Sequence, residues 1–208
     1  MRTFFVVATA IIVLQSSTAL AWFGGLLKSP INTPKKSVQN LKDEILSLAK
    51  RNERGLIESP EDRDTMAQLF ANLEQKNPNK ASLSSPQVNG VWELQYTTSD
   101  SILGRGRSPR VGPIFQTIDA PNGYAKNSET VQYFGFLNVP RAVTAAITPM
   151  SPSKCAVQFK QFSFFNALSI NCPPSFKGEL DVTYVDEDLR LSRGDKGNIF
   201  VLTRYSDL

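Results

Sequence analysis

Apolar residues recur at helical spacings of three and four after Ser37, at Val38, Leu41, Ile45, Leu48 and Ala49. This spacing predicts an amphipathic helix that ends near Arg54, with Gly55 where a helix C-cap would sit. A second helix is predicted from Ser59 to about Asn77, because Ser59 is an N-cap residue and a proline and two acids follow it. Apolar stripes of this width pack on their own domain, and no basic face supports the alternative of docking on a membrane.

The pattern changes to period two at Gly90. Trp92, Leu94 and Tyr96 alternate with polar residues, which predicts a half-buried strand. Further short strands are predicted between turns rich in glycine, proline and acids, at Ile114–Asp119, Thr130–Leu137, Ala142–Ile147, Cys155–Phe162, Phe165–Asn171, Glu179–Tyr184, Leu189–Ser192 and Ile199–Arg204. No helix-length segment separates these strands, so the sequence favours a closed antiparallel barrel or a sandwich over parallel βαβ units.

The charge of the chain changes which functions fit it. The formal net charge is +4, but residues 1–36 carry four basic residues and no acid, so residues 37–208 are neutral. A neutral domain argues against nucleic acid as a partner. Histidine is absent, which excludes histidine-based nucleophile chemistry and histidine metal ligands. An enzyme acting on lipids would instead need a carboxylate inside the barrel with a raised pKa, and the candidates are Glu93, Glu129, Asp119 and Glu179.

The first 36 residues are typical of a targeting sequence. Arg2, a short apolar run and the Ala19-Leu20-Ala21 site indicate a signal peptide over residues 1–21. Residues 22–36 lack acids and carry lysines and hydroxyl groups, which is typical of a transit peptide. The combination resembles the bipartite leader of algae whose plastid lies inside extra membranes. It predicts a plastid protein, and an uncleaved N-terminal anchor is the alternative.

Three segments, Asn89–Ser99, Pro113–Asp119 and Leu180–Leu202, resemble the plastid lipid-associated protein (PAP) family, also called fibrillins. The resemblance implies a lipocalin-like antiparallel barrel in plastids, at plastoglobules or thylakoids, concerned with prenylquinones, carotenoids or other lipids. It implies no settled catalytic reaction and no cofactor. We therefore expect an α+β, mainly β protein, with a helical segment over residues 37–80 and the barrel over residues 81–208.

The predicted function is non-catalytic binding, storage or transport of a lipophilic plastid molecule inside the barrel. The expected lining consists of apolar strand residues, namely Trp92, Leu94, Tyr96, Phe115, Phe134, Phe159, Val182, Tyr184, Leu191 and Phe200. Arg190 or Arg193 would meet a polar oxygen of the ligand at the open end. A fully packed interior is the alternative, and the protein would then act as a scaffold that coats lipid globules or docks a prenylquinone-synthesis enzyme.

Several charged motifs have a structural and a functional interpretation. Arg190, Arg193 and Asp195 would grip an anionic head group or simply form hairpin salt bridges. The acids Asp186–Asp188 are interpreted as a solvated turn, since they lack the spacing of a metal-binding loop. Three arginines in the glycine-rich loop, Arg105, Arg107 and Arg110, would contact head groups or solvent.

Two further pairs concern the stability of the barrel. In a closed barrel the first and last strands are neighbours, so the guanidinium of Arg204 would lie over the indole of Trp92. An ordinary core tryptophan and a solvated arginine are the alternative. A tight hairpin near residues 162–165 would place Cys155 opposite Cys172, yet two separate thiols are favoured over a disulfide.

Overall fold

The computed structural model describes residues 36–208. It has two helices where the sequence predicts them. They are α1 (Val38–Arg51) and α2 (Pro60–Glu74). Ser37 caps α1 by accepting a hydrogen bond from the backbone N–H of Asn40, and Ser59 caps α2 in the same way from Asp62, both at 3.1 Å. The signal and transit peptides predicted over residues 1–36 lie, except for Lys36, outside the described residues and stay a prediction. No helix among the described residues is long and apolar enough to cross a membrane.

Nine strands follow the helices in one antiparallel sheet. They are β1 (Gly90–Thr97), β2 (Arg110–Asp119), β3 (Tyr124–Tyr133), β4 (Leu137–Pro149), β5 (Lys154–Phe164), β6 (Leu168–Asn171), β7 (Lys177–Val185), β8 (Leu189–Gly194) and β9 (Ile199–Ser206). Strand β1 pairs with β2 and β9, and β4 pairs with β5, so eight strands close into a ring. Strand β5 pairs with β7 through its first half and with β6 through its second half, so β6 is a ninth strand outside the ring. The predicted α+β, mainly β barrel is confirmed.

The helices cover one outer side of the barrel. Ile45, Met66 and Phe70 of the helices are fully buried against Tyr184 and Val201 of the sheet. A second apolar cluster fills part of the barrel interior and includes Trp92, Ile118, Val182 and Leu202. The strands under the helices are therefore apolar on both faces. This explains why apolar and polar residues alternate less regularly in them than in half-exposed strands.

Register shifts in two strands move residues to the face opposite the predicted one. The sequence predicts Val182 and Tyr184 on the same face of β7, and Leu94 and Tyr96 on the same face of β1. Shifts lie between the members of each pair. An extra residue at a bulge reverses the alternation of side chains. Tyr96 and Tyr184 consequently pack under the helices, whereas Leu94 and Val182 face the barrel interior.

One predicted strand is wrong in its position. The run Thr130–Leu137 includes the turn between β3 and β4, in which Phe134 has a φ of +54° and Gly135 a φ of +75°. The turn is hidden in the sequence because aromatic residues surround Gly135. Similarly, the first residues of the predicted strand Phe165–Asn171 form the turn between β5 and β6, where Phe165 and Asn166 both have positive φ.

The acidic turn between β7 and β8 anchors helix α1. The Asp186 carboxylate lies 2.5 Å from Nζ of Lys42 and accepts hydrogen bonds from the Tyr184 hydroxyl and from the backbone N–H groups of Asp188 and Leu189. Burial favours the protonated acid, but the hydrogen bonds from Lys42 and Tyr184 outweigh it and lower the pKa of Asp186. The turn thus has a structural role instead of being simply solvated.

This anchor predicts a stability that depends on pH. Because the folded-state pKa of Asp186 is lowered, the stabilisation is present above the unfolded-state pKa of about 3.9 and is lost as the pH falls through the folded-state value. We expect the urea midpoint to fall more between neutral pH and about pH 3 in the wild type than in Asp186→Asn. Glu187→Gln is the matched control, since Glu187 lies in the same turn with an exposed side chain and forms no salt bridge among residues 36–208, whereas Asp188 also pairs with Lys42. Equal pH dependence in the wild type and Asp186→Asn would contradict this role.

Candidate ligand-binding site

A cavity of about 800 Å³ occupies the barrel interior. Its deep end is lined by Leu83, Ile118 and Ile147, which belong to the apolar cluster near the β2–β3 turn. Aromatic side chains line the part nearer the opposite end, namely Phe159, Phe162, Phe164, Phe176 and Phe200. Pockets for lipophilic ligands are typically about 300–1,000 Å³ and mostly apolar. The interior is therefore partly open, and its size and lining suit one lipophilic molecule.

The deep end of the barrel is closed by Trp92 and Arg204. The Arg204 guanidinium carbon lies 4.4 Å from the centre of the indole ring, as the sequence predicts. The same guanidinium donates to the carbonyl oxygens of Gln87, Asn89 and Glu187, and the indole N–H donates to the carbonyl of Val88 at 2.9 Å. Gly90 has a φ of +134°, and a Cβ there would lie 2.7 Å from the guanidinium, so glycine is needed at this position.

Four of the predicted lining residues contribute to the cavity wall: Leu94, Phe115, Phe159 and Phe200. The ring of Phe115 packs on Tyr205, with 4.7 Å between ring centres, so Phe115 contributes less to the interior than the other three. Trp92 and Val182 are buried in the interior cluster, but they do not line the cavity.

The remaining predicted apolar residues lie away from the cavity. Tyr96, Tyr184 and Leu191 pack against the helices on the outside of the barrel. Burial and a hydrogen bond to Glu58 raise the pKa of Tyr96, and burial and a hydrogen bond to Asp186 raise the pKa of Tyr184. Phe134 is 84% exposed in the β3–β4 turn.

The two arginines predicted near the open end lie in different places. Arg193 is on the outside of the barrel, where it forms two hydrogen bonds to Glu74 of α2, at 2.8 and 2.7 Å, and lies 5.0 Å from the centre of the Phe70 ring. Arg190 lies in the interior with no exposed surface, and its guanidinium carbon is 5.0 Å from the centre of the Trp92 ring. The structure therefore places Arg190 near the closed end, and it does not line the cavity.

The open end carries charged residues that are mostly paired. Arg110 bonds to Glu129 at 2.7 Å, and Arg141 bonds to the other oxygen of the same carboxylate. Arg105 bonds to Asp100 at 2.9 Å. Two of the three loop arginines thus hold carboxylates instead of being simply solvated. Of the four candidate carboxylates, Glu129 and Glu179 line the cavity, as the enzyme hypothesis requires, but Arg110 and Arg141 engage Glu129 and Lys154 pairs with Glu179. Glu93 and Asp119 do not line it.

Several residues of the cavity wall could not be predicted from the sequence pattern. Phe162 and Phe164 line the cavity together with Phe159. Phe159 and Phe162 are three residues apart, whereas side chains on one face of a regular strand are two apart. The register shift between β4 and β5 at this point accounts for the change of face. Gln116 and Asn127 also line the cavity, and as polar residues within strands they gave no apolar signal.

Cys155 and Cys172 are both free thiols. The β5–β6 pairing places Cys172 beside Lys160, with 2.8 Å between the Cys172 nitrogen and the Lys160 oxygen, whereas Cys155 pairs with Leu180 of β7. Cys172 therefore lies beside a position of β5 that is five residues, or about 17 Å of extended strand, away from Cys155. Burial raises the pKa of Cys155 to about 11, so its thiol stays protonated at neutral pH.

A closed antiparallel barrel with an apolar interior cavity defines a lipocalin-like barrel. The family profile described as PAP_fibrillin matches residues 39–176 and 162–203, so the chain belongs to the plastid lipid-associated protein (PAP)/fibrillin family. It is 34% identical over 179 residues to "Probable plastid-lipid-associated protein 5, chloroplastic" of Arabidopsis thaliana, covering 86% of this chain and 74% of the relative. It is 28% identical to "Chromoplast-specific carotenoid-associated protein, chromoplastic" of Cucumis sativus, covering 80% and 68%. It is 26% identical to "Plastoglobulin-1, chloroplastic" of Pisum sativum, covering 81% and 62%.

Proposed function

We propose that this protein binds a lipophilic plastid molecule, a prenylquinone, carotenoid or related lipid, inside the barrel without chemical conversion. The observation that carries the proposal is the cavity of about 800 Å³ with its wall of phenylalanines and aliphatic side chains. Burial of ligand surface there contributes about 25 cal/mol per Å² before association costs are subtracted. The test is retention of a plastid lipid by purified residues 36–208, which form one compact unit.

The relatives support the plastid as the location. Their names place them in chloroplasts or chromoplasts, and two of the names refer to carotenoids or to plastoglobules. We extend the plastid location to this chain. Delivery through a signal peptide and a transit peptide to a complex plastid belongs to the same proposal.

A second role, contact with a lipid surface, has its own structural support. Large apolar side chains are exposed around the open end, in a group we call the apolar rim: Phe134, Phe136, Leu137, Phe165, Leu168, Ile170 and Phe176. The β3–β4 and β5–β6 turns that carry most of the rim are neighbours, because the Phe165 nitrogen lies 2.9 Å from the Pro140 oxygen. Exposed clusters of this kind mark sites of contact with membranes or proteins.

The charges near the rim favour a lipid surface over a prenylquinone-synthesis enzyme as the partner. Arg107, Lys160 and Lys177 lie in this half of the barrel and have no carboxylate partner in the part of the chain that the structure describes. Basic side chains beside apolar ones favour anionic lipid head groups. In this arrangement the mouth of the cavity faces the surface of a plastoglobule or thylakoid, and a ligand passes directly between the two.

The rim predicts a specific loss of membrane binding. We expect Phe134→Ser/Phe136→Ser to weaken binding of residues 36–208 to phosphatidylcholine vesicles containing phosphatidylglycerol by at least about tenfold, because two exposed rings no longer enter the lipid. Vesicle co-sedimentation measures the effect. Ile57→Ser and Met150→Ser are matched controls, since both side chains are exposed away from the rim. If the double variant binds as the wild type does, the rim is not the lipid contact.

A further inference from the structure

Arg190 has hydrogen-bonding groups that the protein leaves unused. Its side chain is fully buried, and its Nη2 donates to Oε1 of Gln116. Its Nε and Nη1 have no hydrogen-bond partner, and it forms no salt bridge with any carboxylate among residues 36–208. Most buried guanidinium groups are paired, because an uncompensated buried charge is costly. The interior therefore lacks an acceptor at this point.

The hydrogen bonds around Arg190 have a fixed direction. A guanidinium has donors only, so the Gln116 amide must turn its oxygen toward Arg190 and its nitrogen away. The Gln116 Nε2 then donates to Oδ1 of Asn127 at 3.0 Å. Oε1 and Oδ1 are thereby both engaged, while the Asn127 amide nitrogen and one N–H of Gln116 remain for other acceptors. Since Gln116 and Asn127 line the cavity, they offer N–H donors to whatever occupies it.

Depth and charge make the donor patch, defined as Gln116 and Asn127, a suitable place for a polar head. Arg190 donates to Gln116 but does not itself line the cavity. Arg190 bonds to Gln116 and lies 5.0 Å from the centre of the Trp92 ring, so the patch lies toward the closed end, whereas Phe164 and Phe176 line the wall at the ends of strands near the opening. Burial lowers the pKa of Arg190 to about 9, since no anion compensates its charge, yet the group stays charged at neutral pH. Because the charged guanidinium donates to the Gln116 oxygen, it polarises the Gln116 amide and strengthens the N–H donors that the patch offers to a ligand oxygen.

We propose, resting on the lipid-binding function above, that the ligand enters head first and places on the donor patch an oxygen that carries no hydrogen, a carboxylate or a quinone carbonyl. The hydrocarbon tail then lies along the phenylalanines toward the open end. This orientation is opposite to the one expected from the sequence, in which the polar head stays at the mouth.

The test compares ligands that differ only in the head. Residues 36–208 are titrated with cis-parinaric acid and with the corresponding alcohol, and separately with decylplastoquinone and its hydroquinone. We expect the acid or the quinone to bind at least about tenfold more tightly than its reduced counterpart, as one additional hydrogen bond from the patch would give. The acid pair and the quinone pair distinguish the two sources of the acceptor oxygen.

Variants connect the preference to the patch. Gln116→Leu and Asn127→Leu are expected to reduce the affinity ratio of acid to alcohol, and of quinone to hydroquinone, to about twofold or less. The alcohol still binds, because the apolar wall remains. Gln132→Leu is the control, a glutamine of β3 that bonds to Asn138 at 3.2 Å away from the cavity. A cooperative urea transition in each variant establishes that it folds, since Gln116→Leu also removes the hydrogen-bond partner of Arg190 and is expected to lower the midpoint. Equal binding within both pairs, or a preference that survives Gln116→Leu, overturns the head-first orientation but leaves cavity binding intact. If no probe binds the wild type, the proposed function fails with it.

Discussion

Trp92→Ala is expected to lower the free energy of unfolding by about 3–5 kcal/mol, the largest stability effect of any single substitution considered. The indole is fully buried, has the guanidinium carbons of Arg190 and Arg204 at 5.0 and 4.4 Å from its ring centre, and closes the end of the barrel. Its removal leaves a void in the interior cluster and takes away the aromatic ring that both guanidinium groups contact. Urea unfolding of residues 36–208 measures the change.

A milder variant separates the ring from its hydrogen bond. Trp92→Phe keeps an aromatic face for both arginines but loses the 2.9 Å bond from the indole nitrogen to the Val88 carbonyl. We expect it to cost about 1–3 kcal/mol, consistent with one unsatisfied buried group. If the midpoint of Trp92→Ala matches that of the wild type, Trp92 does not close the barrel.

Elements that are determined by residues close together in the sequence were predicted correctly. The N-caps at Ser37 and Ser59 and the apolar periodicity determine the two helices directly. The contact between Trp92 and Arg204 follows from closure of an antiparallel barrel, since closure makes the first and last strands neighbours. The helices and this contact can be predicted from the sequence and the strand order, without information on which side chains touch across the barrel.

Bulges and turns limited the prediction of the site. One register shift in β7 moves Tyr184 to the outside, and one in β1 does the same for Tyr96, so alternation counted from Val182 or Leu94 gives the wrong face. Neither bulge has a glycine to mark it. A bulge is decided by pairing with the neighbouring strand and by the packing of the helices, which local sequence does not contain.

The polar part of the cavity escaped prediction for a different reason. Gln116 is a polar residue in a strand, and it would ordinarily be assigned to the solvent face. Its interior position depends on Arg190, which comes from a strand 74 residues later in the chain. Only the closed barrel places the two side chains together.

Filling the cavity is expected to abolish lipid binding while the fold remains. Ala125 and Ala145 are register partners on neighbouring strands, and both line the cavity. In Ala125→Phe/Ala145→Phe two phenyl rings occupy space that a ligand would otherwise take, and the empty volume limits the packing strain that extra groups cause in full cores. Ala146→Phe is the matched control, because Ala146 pairs with half-exposed Tyr124 and does not line the cavity.

Native mass spectrometry of residues 36–208 after incubation with a plastid lipid extract tests cavity binding most directly. We expect the wild type and Ala146→Phe to retain one lipid molecule per chain, and Ala125→Phe/Ala145→Phe to retain none. Retention of the same lipid by the cavity-filled variant, or no lipid on the wild type, would contradict binding inside the barrel.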